Sequence, residues 1–301
     1  MRRIVTSAML AAAAAGSVLL AQQNRPMFQA SVVSVAVDVT VMRGRTPVAG
    51  LGVADFTLTD NGVPQTIEST SHGTIPLDLT IVLDFSNSSR GDFDEFVRNA
   101  ADMQRFLGPE DQWRWLGVFS EPRELLPMRS AIDPLPTIEP PGPVQASALA
   151  DTVFLALVRP GQPARRHLVI VYTDGHDSWS ILEPRRLPEI ASQADAVLYA
   201  VTTSAPPPVS ATPGGSNAVW SAARWRETQD ALFDAVRETG GSIHRLSNRA
   251  DAFGRVIQEF RSAYVLRYTP QGVDTPGWHT LAVSVAQPRG LTIRARRGYE
   301  R

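Results

Sequence analysis

The chain has 301 residues, 43% hydrophobic and 20% charged, with a formal net charge of −1 at pH 7, which leaves no electrostatic footprint for nucleic acid or an anionic membrane. It contains no cysteine, which excludes a disulfide, a thiolate nucleophile and a Cys-ligated zinc site. All 29 of its cations are arginine, so Schiff-base chemistry and lysine-dependent phosphoryl transfer are excluded as well.

Met1-Arg2-Arg3 and the apolar run that follows read as a secretory signal over residues 1–21, with a cut after Ala21 or after Ser17. An uncleaved N-terminal anchor is the alternative, for which the segment is short. Cleavage predicts a secreted, periplasmic or cell-envelope protein, and no later stretch has the length and apolarity of a membrane span.

Residues 22–30 read as a leader. From residue 31, Val33, Val35, Val37, Val39 and Val41 alternate with Ser34, Ala36, Asp38 and Thr40, the pattern of a half-buried strand. Asp60-Asn61-Gly62 between two short β runs is a hairpin turn signal. Residues 31–74 are therefore expected to be all β, with one face needing a partner.

From residue 75 to 262 strands and helices alternate. A buried run ends in Asp84, and a helix is expected over 92–107, with Phe93, Phe96, Val97, Ala100, Met103 and Leu107 on one face. Strands follow at 113–119 and 124–128, then a Pro-rich loop and a helical stretch containing Leu149, Val153, Leu155 and Leu157. His167-Leu168-Val169-Ile170-Val171-Tyr172 is a near-continuous apolar run, the mark of a parallel strand covered on both faces, and it ends at Thr173-Asp174-Gly175. A short helix at 184–194, a strand at 196–201, a long helix ending at Gly240-Gly241, a strand at 242–246 and a helix at 250–262 complete the block. The β pattern returns over 263–301, and these strands are the natural partners of 31–74. The predicted architecture is a Rossmann-like α/β domain, mainly a parallel sheet with helices on both faces, inserted into a β-sandwich made from the two ends of the chain.

Asp84, Ser86 and Ser88 place one acid and two hydroxyls in the loop from a strand's carboxyl end, the edge of an open α/β sheet where ligands bind. Oxygen donors of this kind suit Mg²⁺, Mn²⁺ or Ca²⁺. Ser147 and Asp174 lie in two further loops that leave the same edge.

The order Asp-x-Ser-x-Ser, a hydroxyl, then Thr-Asp-Gly resembles the metal-ion-dependent adhesion site of von Willebrand factor A (VWFA) domains, over roughly residues 75–262. The flanks (Asp55-Phe56, the run Tyr264-Val265-Leu266-Arg267-Tyr268, and Arg296-Arg297-Gly298-Tyr299) resemble those of exported bacterial VWFA-related proteins of the Acidobacteria type. The resemblance implies that Ser86 and Ser88 give hydroxyl oxygens directly to Mg²⁺ (or Mn²⁺ or Ca²⁺), and that Asp84 and Asp174 bind directly or through water. Ser147 stands where that family usually has threonine, and Val144-Gln145-Ala146 stands where it has a glycine pair. The implied function is non-enzymatic adhesion, with a protein partner offering an Asp or Glu carboxylate to the ion.

Plainer readings stand beside this one. Asp84 can cap the following turn, with Ser86 and Ser88 satisfying backbone donors. The protein is then a structural envelope component with a vestigial metal site. Asp177 and His176 read as solvated loop residues, Trp113, Trp115, Trp220 and Trp225 as packing, and Arg294, Arg296 and Arg297 as a solvated strand face. An Asp84 nucleophile in a phosphohydrolase lacks its lysine, and no Gly-x-Ser-x-Gly occurs for a serine hydrolase.

Overall fold

Alternation of valine with small or polar residues turns one edge of the first strand toward a core. The computed structural model describes residues 34–73, 75–85, 103–138, 146–162, 164–202, 216–245, 249–287 and 289–301. The expected signal and leader, Ser86, Ser88, Val144 and Gln145, and most of the helix expected over 92–107 lie outside them. β1 (Val35–Arg43) buries Val37, Val39 and Val41, and β2 (Thr46–Pro47) pairs with its end. β3 (Phe56–Asp60) and β4 (Val63–Gln65) form a hairpin. Its turn residues Asn61 and Gly62 have φ of +47° and +79°, the positive pair that a two-residue hairpin of right-twisted strands requires. β5 (Ile67–His72) follows.

The next six strands build one sheet: β6 (Leu77–Asp84), β7 (Gln112–Val118), β8 (Arg123–Ser130), β9 (Arg166–Thr173), β10 (Val197–Thr202) and β11 (Ile243–Arg245). Their spatial order is β11-β10-β9-β6-β7-β8, parallel throughout except for the antiparallel edge strand β8. Four helices are described: α1 (Leu149–Leu157), α2 (Leu187–Gln193), α3 (Ser216–Glu238) and α4 (Arg249–Arg261). Helices cover both faces, which is why the central strands are apolar on both sides. On one face Ile81, Leu83, Ile170 and Tyr172 meet Val256, Ile257 and Phe260 of α4. On the other, Val82, Val169 and Val171 meet Val153 of α1, Leu187 of α2 and Leu232 of α3. From β6 the chain runs outward through β7 and β8, then returns to β9 on the opposite side of β6. The order therefore reverses between β6 and β9, and that crevice is where doubly wound sheets hold ligands.

The last strands, β12 (Tyr264–Tyr268), β13 (Trp278–Val285), β14 (Thr292–Ala295) and β15 (Gly298–Glu300), return to the first ones. β1 is flanked by β12 and β14, β12 pairs also with β5, and β13 lies between β3 and β15. The two sheets enclose Val37, Val39, Phe56, Leu58, Tyr264, Leu266 and Leu281. This is the sandwich built from both chain ends, with the α/β block between them. Its interior also holds Asp60, which accepts the hydroxyls of Tyr268 (2.8 Å) and Tyr299 (2.9 Å) and lies 2.8 Å from Nδ1 of His279. Burial, then the hydrogen bonds with Tyr299 and Asp60, push the Tyr268 phenol up, so it stays a donor.

One expectation is overturned at the seam between sandwich and α/β block. Arg294 and Arg296 are not on a solvated face, whereas Arg297 stays exposed, as expected. Arg294 pairs with Glu259, Arg297 with Glu238 at 2.7 Å, and Arg296 donates to the carbonyls of Ser192 (3.1 Å) and Ala194 (3.2 Å). Arg166 of β9 crosses the same seam to Asp38 (2.7 Å) and lies 3.8 Å over the Phe260 ring. Arginine suits this work because its planar fork bonds a carboxylate while its face stacks on an aromatic ring.

Candidate metal centre

The parallel register of β6 and β9 sets Leu83 opposite Tyr172, so the next residues, Asp84 and Thr173, leave the sheet side by side. Asp84 is 1% exposed, and its Oδ2 accepts the Thr173 hydroxyl at 2.6 Å. The same Thr173 oxygen accepts the Gly175 N–H at 2.9 Å. Asp174, 8% exposed, folds its carboxylate back onto the His176 N–H at 3.0 Å, a local turn of the kind aspartate favours. Gly175 has φ of +87°, and a Cβ there would stand 2.7 Å from the Gln229 side chain. Gly175 is thus favoured twice, by the backbone conformation and by the close approach of α3.

α3 also fixes the loop from above. The Trp225 indole N–H donates to the Asp174 carbonyl at 2.9 Å. Trp225 reads as packing in the sequence, since a side-chain period marks which face is buried and not which carbonyl it meets.

The second loop joins the same construction. Ser147, 2% exposed, donates its hydroxyl to the His176 carbonyl at 2.8 Å, and its own carbonyl accepts the N–H groups of Ser178 and Trp179, both at 2.9 Å. Asp177 corrects the expectation of a solvated loop residue. It is buried, and its carboxylate accepts the N–H of Ala150 in the first turn of α1 (3.0 Å) and that of Ser180 (3.1 Å), with Arg224 3.5 Å away. It is a helix cap that locks the third loop to the second, and its oxygens are committed there.

The structure therefore brings Asp84, Ser147 and Asp174 to one edge, linked through Thr173 and His176, and Ser86 and Ser88 fall outside the described residues. Thr173 is the member that sequence reading missed. Its signal was the register of two apolar runs, which sets it beside Asp84. The donor set is carboxylate, hydroxyl and carbonyl oxygen, which fits a hard divalent ion and offers nothing to a thiophilic one. Among the described residues no group of three or more His, Cys, Asp or Glu side chains is placed to hold a metal ion. Any cation at this edge therefore depends on hydroxyls and water besides the two carboxylates.

The chain matches no family model and no curated protein. Among solved structures it is similar to the conserved hypothetical protein BatB from Bacteroides thetaiotaomicron, at 16% identity over 61% of this chain and 96% of that one, with a TM-score of 0.41. It is also similar to proximal thread matrix protein 1 from the mussel byssus with a zinc-occupied MIDAS motif (14% identity, 66% of this chain and 49% of that one, TM-score 0.47). A third is a von Willebrand factor type A structure from Catenulispora acidiphila (14% identity, 79% of this chain and 51% of that one, TM-score 0.38). At such identities function does not transfer between proteins, and the site stands on this chain's own residues.

Proposed function

We propose that this chain is an exported, non-enzymatic binding protein that engages a protein partner through a divalent cation at the carboxyl ends of β6 and β9. The observation that supports it most is the bond from Thr173 to Asp84: it joins the first and third strand-end loops at the switch point, with a second buried acid, Asp174, one residue on. Asp84, Asp174 and Ser147 would hold Mg²⁺ (or Mn²⁺ or Ca²⁺), with Ser86 and Ser88 completing the set. When bound, the ion supplies a seat for an anionic oxygen. The chain's own residues orient its ligands: Thr173 aims Asp84, the His176 N–H aims Asp174, and Asp177 holds the loop carrying His176 against the start of α1. Hydroxyl and water ligands offset little of the ion's charge, so a carboxylate brought by the partner completes the shell.

Mg²⁺ or Mn²⁺ at 100 times its Kd should stabilise the wild type by about 2.7 kcal/mol. Tm then rises by several degrees, at ~2–4 °C per kcal/mol for a large domain, and Asp84→Ala removes the gain. No shift with either ion overturns the reading in favour of the structural one. That alternative has its own support: the bonds among Asp84, Thr173, Ser147 and His176 already tie the loops together without an ion.

A further inference from the structure

His279 is completely buried in the sandwich and takes no part in the candidate metal centre. β13 alternates in and out of the core, and His279 faces inward two residues before Leu281. Each of its ring nitrogens meets an oxygen. Nδ1 lies 2.8 Å from Oδ1 of Asp60 on β3, and Nε2 lies 2.8 Å from the carbonyl oxygen of Thr275 in the turn before β13. Asp60 is fully buried as well. Its second oxygen, Oδ2, accepts the hydroxyls of Tyr268 on β12 and Tyr299 on β15.

The state of the ring follows from counting protons. A carbonyl oxygen only accepts, so Nε2 carries a proton. Each phenol has one proton and gives it to Oδ2, and both phenols stay donors because burial pushes them up. A carboxyl oxygen that accepts two hydroxyls belongs to an ionised acid, so Oδ1 has no proton to offer and Nδ1 must supply one. The Tyr299 oxygen, 3.5 Å from Nδ1, has already spent its proton and presents only lone pairs there. A neutral imidazole has a single N–H. It would leave a ring lone pair 2.8 Å from an oxygen lone pair on one side or the other, with the His279 side chain closed to water.

We infer that His279 is an imidazolium in the folded chain and that its second proton is a latch. With that proton the ring holds Asp60, and Asp60 holds β12 and β15 to β3; without it the carboxyl-terminal strand comes loose. The titratable and charged groups around the ring are Asp60, Tyr268 and Tyr299, with Arg301 beyond Tyr299. β15 is the element that yields, because it is three residues long and lies at a sheet edge. The fold keeps a proton here that the unfolded chain gives up as the pH rises, so stability from the latch is lost toward alkaline pH.

The test is nitrogen NMR of the full chain labelled at histidine, with the His279 signals identified by their loss in His279→Gln. If that variant does not fold, the ring is assigned from its contact with the Tyr299 ring, whose centroid is 5.0 Å away. At neutral pH both ring nitrogens of His279 should carry protons. As the pH is raised until one is lost, hydrogen-exchange protection of the β15 amides should fall by about tenfold or more beyond the change in intrinsic rate. A bare ring nitrogen at neutral pH overturns the inference, whether Asp60 or neither group holds the missing proton. A doubly protonated ring whose second proton leaves with no change in β15 protection overturns the latch.

Discussion

Asp84, Asp174 and Asp177 are all buried at one end of the sheet. Asp177 meets two backbone N–H groups and a guanidinium, a structural set. Asp84 is held by a hydroxyl that itself belongs to the strand-end loop. Asp177 was misread because the start of α1 lies 27 residues away in sequence, and nothing local announces that approach. The strand-end positions of Asp84 and Asp174 were legible because each ends an apolar run, a signal that needs no distant partner. Another buried group, His167, lies at the opposite end of β9 and tests the electrostatics independently. Burial, then the nearby Arg114 and Arg159, push His167 down from 6.5 to about 4, and its Nε2 lies 3.2 Å from the Thr80 hydroxyl. Its folded pKa lies below its unfolded one, so between pH 4 and 6.5 the unfolded chain binds a proton that the native chain refuses. Stability from this group is complete above pH 6.5 and falls as the pH drops toward 4, by roughly 3 kcal/mol in all. Urea unfolding at pH 4.5 and pH 7 should show that His167→Gln loses less stability on acidification than the wild type. Equal losses would contradict the assignment.

Elements were readable where their own pattern decided them. The apolar runs of β9 and β10, the Asn61-Gly62 hairpin and the buried face of α4 follow from sequence period and turn chemistry. β5 did not: after Ile67 its residues Glu68 to Ser71 are polar, and it is extended because β12 pairs with it over Ile67 to His72. β15, three residues long, is likewise made by β13. The turn after α3 shows how tightly the elements fit. Gly240 has φ of +81°, as a residue just past a helix often does, and a Cβ on Gly241 would stand 1.8 Å from the Leu198 carbonyl oxygen in β10. Backbone cannot yield there as a side-chain tip would. Gly241→Ala should therefore cost more than about 4 kcal/mol, or prevent soluble expression, whereas Gly44→Ala meets no atom within 4 Å and should cost at most about 1–2 kcal/mol for its positive φ. Urea titrations of the two variants check this, and equal losses would show that the β10 contact does not set the cost.

At the scale of the whole molecule, the two ends of the chain complete one another. β1 takes its neighbours β12 and β14 from beyond residue 262, so neither end forms its sheet alone. The pairing was legible because alternating strands with one uncovered face occur at both ends. The seam was not, because an arginine pattern reads the same whether water or a glutamate lies opposite. Truncation after Ser262 should leave residues 31–74 without partners and give an insoluble or unfolded chain by circular dichroism. A soluble truncated protein with native strand content would contradict that dependence. The sandwich and its arginine seam hold the amino end of the sheet, and the candidate metal centre lies at the carboxyl end. The account depends most on an ion at that carboxyl end. Crystals grown with Mn²⁺ and measured for anomalous scattering should show a peak at the crevice between β6 and β9, with the carboxylates of Asp84 and Asp174 among the nearest oxygens, directly or through water. A map with no peak in that crevice, or with Mn²⁺ bound only elsewhere, would contradict it.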